Sequence, residues 1–296
     1  MLEVKRDSTC VSILLEQFSA RRPTSPRTDD NITNLAEYLD EQDSILQFDK
    51  LKVLRFSSNE SLGRILGLDS VEYRDSQIRS SFQDALNLLG SLPAVRMIEL
   101  AVENVVPFRS AEKHSFYHPR YKRHIFINIQ ENIGRFHVFE EIIHQSGHSV
   151  LDSMSPDGAR FINSSNDGFD RNHQFENEND GIHSPITRFH SLITLAIICE
   201  SIYELINIQS LDQELELWGR LAFAMSKLSL DLRFFLGNSG MLTNLGIVIL
   251  RACLSSYDRV LKFSDLSFDS FILTDQPYVF DMEIFASFNK NIVFPI

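Results

Sequence analysis

His124-Ile125-Phe126-Ile127-Asn128-Ile129 is apolar at almost every position, and it is soon followed by Phe139-Glu140-Glu141-Ile142-Ile143-His144-Gln145-Ser146-Gly147-His148-Ser149-Val150-Leu151. The first run reads as a buried strand, because β-branched and aromatic residues suit a pleated surface packed on both faces. The second belongs to a stretch of helical spacing from Phe136 to Leu151, and Ile142, Ile143, Val150 and Leu151 mark that helix as buried. A buried strand leading into a buried helix decides the class. The expectation is a mainly α chain (α+β), with a small β element next to an HxxxH helix.

Upstream, Ile98-Glu99-Leu100-Ala101-Val102 and Val105-Val106-Pro107-Phe108 are short and β-prone. Residues 75–92 put Ile78, Phe82, Ala85, Leu86 and Leu89 on one helical face, and 31–46 has similar spacing. A short helix is expected within residues 1–20, with Val11, Leu14, Leu15 and Phe18 on its apolar side; Pro23 and Pro26 mark a loop after it. Downstream, residues 153–184 are rich in Asn, Asp, Ser and Gly, the composition of a long functional or mobile loop. Helices are expected over 186–207, 211–236 and 241–256, before a Phe-rich tail. With no repeat and no clear linker, the reading is a single domain over 1–296 with a metal-binding core at about 100–256.

Composition narrows the function classes. Of 296 residues, 43% are hydrophobic and 23% charged, which argues against wholesale disorder. The formal charge of -12 repels phosphate backbones, so no nucleic-acid partner is expected. Arg120-Tyr121-Lys122-Arg123-His124 is a local basic exception, suited to an acidic peptide or a small dicarboxylate, or simply a solvated loop. No apolar run approaches the roughly 18 residues of a membrane span, so no membrane partner is expected. The start, Met1 to Asp7, lacks the pattern of a secretory signal. Cys10, Cys199 and Cys253 are odd in number and far apart, which rules out a disulfide scaffold and a CxxC metal site and fits a reducing cytoplasm. The oligomeric state is not readable.

The chemistry concentrates at His144 and His148. An i,i+4 pair projects both imidazoles from one helix face, where they can share a metal ion. The alternative is a pair of hydrogen-bonded core histidines. Zinc peptidases carry Glu after the first histidine, as the base for metal-bound water. Here that residue is Gln145, and a carboxamide cannot act as a base near neutral pH. Non-haem Fe(II) chemistry needs only three facial ligands and open positions. The first candidate for the third ligand is His190, after Ser184-Pro185 at an expected helix start; His183 and Glu200 follow. Arg188 could bind a co-substrate carboxylate through its guanidinium, as could Arg220 or Arg251. Glu140 or Glu141 could orient His144 from behind.

The order of these segments resembles the HExxH-motif peptide-modification proteins that accompany ribosomally synthesised, post-translationally modified peptides. The residues that carry the resemblance are Val105-Val106-Pro107-Phe108, His114-Ser115-Phe116, Ile125-Phe126-Ile127-Asn128, His144-Gln145-Ser146-Gly147-His148, and Ser184-Pro185 through His190-Ser191-Leu192. They span roughly residues 100–200. The resemblance implies a 2-oxoglutarate- and Fe(II)-dependent β-hydroxylase of peptide side chains, with His144, His148 and His190 as iron ligands and a precursor peptide as partner. Gln145 departs from the family pattern. The rival readings are a zinc peptidase descendant, active or not, and a non-catalytic peptide-binding protein.

Overall fold

A computed structural model of the chain describes residues 9–19, 44–54, 76–119, 121–129, 133–163, 184–209, 214–263, 268–277 and 279–290. The fold is mainly α with one small mixed sheet, as the sequence predicts. The chain divides into two compact units, Leu15–Pro156 and Met1–Leu14 with Asp157–Ile296.

The first unit holds the sheet. Its strands are β1 (Ser44–Phe48), β2 (Leu51–Leu54), β3 (Asn104–Phe108), β4 (Phe116–Tyr117) and β5 (His124–Asn128), in the order β1-β2-β3-β5-β4. β3 and β5 run parallel over their full length, from Asn104 opposite His124 to Phe108 opposite Asn128. Every residue of β3 is buried, as a parallel pair covered on both faces requires. β4 lies antiparallel on β5 and carries Phe116, stacked on Phe126 at 4.7 Å between centroids. Among the described residues, the helices that lie wholly in this unit are α2 (Ser76–Gly90), α3 (Ala94–Ala101) and α4 (Arg135–Met154). α4 packs on α2, α3 and β5 through Phe139, Ile142, Ile143, Val150 and Leu151, all fully buried.

Two expectations change here. Ile98–Ala101 is helical: Ala94, Met97, Ile98 and Ala101 form one buried stripe at helical spacing, and Pro93 occupies the N-cap. A window of five residues hid that period. Of the helix expected over 31–46, residues 44–46 belong to strand β1 instead, and residues 31–43 lie outside the described ones.

The second unit is helical. It contains α5 (Pro185–Gln209), α6 (Leu215–Gly237), α7 (Asn244–Phe263) and α8 (Met282–Phe288). α5 packs against both α6 and α7, so it is apolar around most of its circumference. This corrects the reading that no apolar run reaches membrane length. Pro185–Ile208 is long and apolar enough to cross a bilayer, with mean hydropathy 1.6, yet 67% of that window is buried within the protein. Its apolar faces form the core of the unit. α1 (Cys10–Ser19) crosses the division at Leu14. Of the long polar loop, residues 164–183 lie outside the described ones.

Candidate metal centre

α4 brings the two histidines together. Nε2 of His144 and Nε2 of His148 are 3.1 Å apart, with the rings tilted at 37° and their centroids 5.0 Å apart. Along α4 the partly accessible interior positions are His137, Glu140, His144, His148 and Asp152, a line of ionisable residues on an otherwise buried helix. Burial, with a smaller contribution from His144, pushes the His148 imidazole down to about 3. At neutral pH His148 is therefore uncharged, with one ring nitrogen carrying a lone pair. A pair of imidazoles at this distance has two uses. One ring can donate Nε2–H to the other, or both lone pairs can point at one cation. The 3.1 Å separation is an ordinary hydrogen-bond distance, and two imidazoles this close could also share one ion with bonds of about 2 Å.

Gln145 has a structural task that the sequence reading missed. Its Nε2 donates to the Ser115 carbonyl at 3.2 Å and to Glu141 Oε2 at 3.4 Å. Ser115 in turn donates nothing to Gln145 but accepts through its hydroxyl from Asn128 N at 3.0 Å. Asn128, at the end of β5, also binds Ser110 N, Ser110 O and Lys113 O. The loop between β3 and β4 is thus fastened to α4 and β5 by amides. A glutamate at 145 would lose the donor and set a second carboxylate beside Glu141. Glu141 is buried and is bonded to Gln145, so it holds the amide neighbouring His144.

Asp152 was also missed. It lies four residues after His148 and accepts from Tyr117 Oη at 2.8 Å. Burial raises its carboxyl above the ordinary range, and burial together with Asp152 raises the Tyr117 phenol. The signal was available as a third member of the i,i+4 series, His144, His148, Asp152.

The remaining candidates lie in the second unit. His190 is on the second turn of α5, with Nε2 withdrawn from solvent, and its carbonyl accepts from Thr194 Oγ1. Arg188 is engaged: its Nε meets Asp231 Oδ1 at 2.8 Å, and its guanidinium lies 4.2 Å from the centre of the Phe234 ring. Arg220 is similarly bound to Glu216 and stacked on Phe280, whereas Arg251 is exposed. Glu200 receives Cys10 N, Val11 N and Ser256 Oγ, which uses both of its oxygens. His183 lies outside the described residues. His144 and His148 converge, and among the described residues no three His, Cys, Asp or Glu side chains form a group that could hold a metal ion. No family model and no curated protein matches the chain.

Proposed function

We propose that His144 and His148 hold a divalent metal ion and that the chain is a non-haem iron, 2-oxoglutarate-dependent oxygenase acting on a peptide in the cytoplasm. The observation that carries this reading is the convergence of the two Nε2 atoms, 3.1 Å apart on one face of α4, where they could share one cation. Iron(II) with a 2-oxo acid would supply oxidation of an unactivated C–H bond, such as a β-carbon of the bound peptide. The protein's own share is narrower. His148 stays neutral and so keeps a lone pair available near pH 7. Gln145 fixes the Ser115 loop and leaves no carboxylate at the position where hydrolytic zinc sites need a base. The third ligand in this reading is His190 or His183. Arg188 is the co-substrate arginine only if the 2-oxo acid displaces Asp231; the exposed Arg251 is free of that competition on the acid's behalf.

Metal analysis of the purified protein, alongside His144→Ala and His148→Ala, tests the proposal. Expected is near-stoichiometric iron in the parent protein, lost in both variants, with at least about a hundredfold weaker binding, or about 2.7 kcal/mol. Succinate released from 2-oxoglutarate should disappear with the iron. Stoichiometric zinc without succinate formation would favour the peptidase descendant. No metal under any loading condition would leave the histidines as a core hydrogen-bonded pair.

A further inference from the structure

A second convergence of reactive side chains lies in the helical unit. Cys10 Sγ and Cys253 Sγ are 3.6 Å apart, 243 positions apart in sequence, and both cysteines are completely buried. Cys10 is the first residue of α1 and Cys253 lies in the middle of α7. Their approach is fixed by neighbouring polar contacts. Cys10 N donates to Glu200 Oε1 at 2.5 Å and to Ser256 Oγ at 3.2 Å, while Val11 N donates to Glu200 Oε2 at 3.0 Å. Ser256 follows Cys253 by three residues on α7, so thiol and hydroxyl share one helix face. Ser256 Oγ also donates to Glu200 and to Ala252 O. The first turn of α1 is therefore seated on α5 and α7 by its own orphan N–H groups, and the two sulfurs meet as a result.

We propose that Cys10 and Cys253 form a reversible dithiol–disulfide couple that staples the first turn of α1 to α7. A disulfide requires sulfurs about 2.05 Å apart, so side-chain rotation must close roughly 1.5 Å. The oxidant is a low-molecular-weight disulfide of the glutathione class. One protein thiol loses its proton, and the thiolate attacks a sulfur of the small disulfide. A mixed disulfide forms and one small thiolate leaves. The second cysteine, deprotonated in turn, attacks the protein sulfur of the mixed disulfide, which forms the Cys10–Cys253 bond and expels the other small thiolate. Two protein thiols are oxidised, one small disulfide is reduced to two thiols, and the two protons end on the leaving thiolates. In the docked state the thiol contact with Cys253, burial and the Glu200 carboxylate all hold the Cys10 thiol protonated. Exchange therefore proceeds through states in which the first turn of α1 has lifted, and the couple records that opening.

The test uses the full chain, equilibrated in glutathione buffers from fully reduced to fully oxidised, quenched with N-ethylmaleimide and mapped by mass spectrometry. The expected product is a Cys10–Cys253 linked peptide, about 2 Da lighter than the two thiol peptides together, with Cys199 alkylated. The loop closed is long, so the thermal midpoint should rise by on the order of 5–10 °C and fall back with dithiothreitol. Cys10→Ser and Cys253→Ser should abolish the rise, and Cys199→Ser should retain it. Full alkylation of Cys10 and Cys253 after prolonged exposure to excess oxidised glutathione would overturn the proposal. So would a reaction that stops at mixed disulfides or links either residue to Cys199. If a serine variant does not fold, the peptide map of the parent protein decides alone.

Discussion

α4 and α5 are both buried helices that carry polar side chains into a core, and they satisfy them differently. On α5 charged groups meet an opposite or a donor: Arg188 meets Asp231, which also accepts from Ser191, and the Glu200 carboxylate meets the N–H groups that open α1, while Ser201 Oγ is buried without a hydrogen-bond partner. On α4 the central meeting is between two identical bases, His144 and His148. Complementary partners complete a core. Two imidazoles that face each other bring their Nε2 atoms to one shared spot. That asymmetry is the physical reason for looking to α4 for metal chemistry and to α5 for architecture.

The comparison breaks first at Glu200. Glu200→Ala would take the carboxylate acceptor from Val11 N and one of two partners from Cys10 N and Ser256 Oγ, which keep each other and Ala252 O. A loss of about 2–4 kcal/mol of stability is expected, read from the urea midpoint. A loss below about 0.5 kcal/mol would mean that water or a neighbouring group replaces the carboxylate, and that α5 is not built on complementarity.

Acid provides the next test, on α4. The folded His148 titrates near 3, whereas an unfolded histidine titrates near 6.5. Below pH 6.5 the unfolded chain takes up a proton that the folded state refuses, so stability falls as the pH falls toward 3. The slope from this group is at most about 1.4 kcal/mol per pH unit, and about 1 is expected for a ring with some solvent contact. Asp152 and Glu200 oppose it, because their raised carboxyls bind protons first in the folded state. Metal-stripped parent and His148→Gln proteins, compared by urea unfolding from pH 7 to 4, isolate the histidine. Parallel curves would show that His148 takes up its proton in the folded protein.

The smallest effect is expected at Gln145. Gln145→Glu removes the donor to Ser115 O and places a carboxylate beside Glu141. A cost of about 1–2 kcal/mol is expected in thermal or urea unfolding, with no efficient peptide hydrolysis, since hydrolysis also requires a cleft and oxyanion donors. Oxygenase turnover, where present, should stay within about tenfold of the parent value. A stabilised variant that cleaves peptides would reverse the assignment of Gln145 to architecture.

The strands and helices with strong periods were legible from residues. His124–Asn128, Asn104–Phe108 and Arg135–Met154 stand where alternation, burial and spacing put them. Ala94–Ala101 was missed because its stripe begins before the β-branched residues that drew attention. Spacing also found the meeting of His144 with His148, since an i,i+4 contact is local. It could not find Gln145 with Ser115, 30 positions apart, or Glu200 with Cys10, 190 apart. Such pairs are made by tertiary packing, and nothing in either local segment announces the other. Arg188 illustrates the reverse error: a guanidinium that reads as a free binding group is held by an aspartate two helices' lengths away in sequence.

The seating of α1 also sets an order of events during synthesis. Its first N–H groups are completed by Glu200 and its first residue is further held by Ser256, so the seat does not exist until the ribosome has made about 246 more residues. At roughly 5–20 residues per second that is an interval of roughly 10–50 s. Throughout it, Val11, Ile13 and Leu14, buried in the finished protein, wait for the helices on which the first turn of α1 is seated. Residues 10–14 consequently pass most of synthesis before the seat that fixes them has been made.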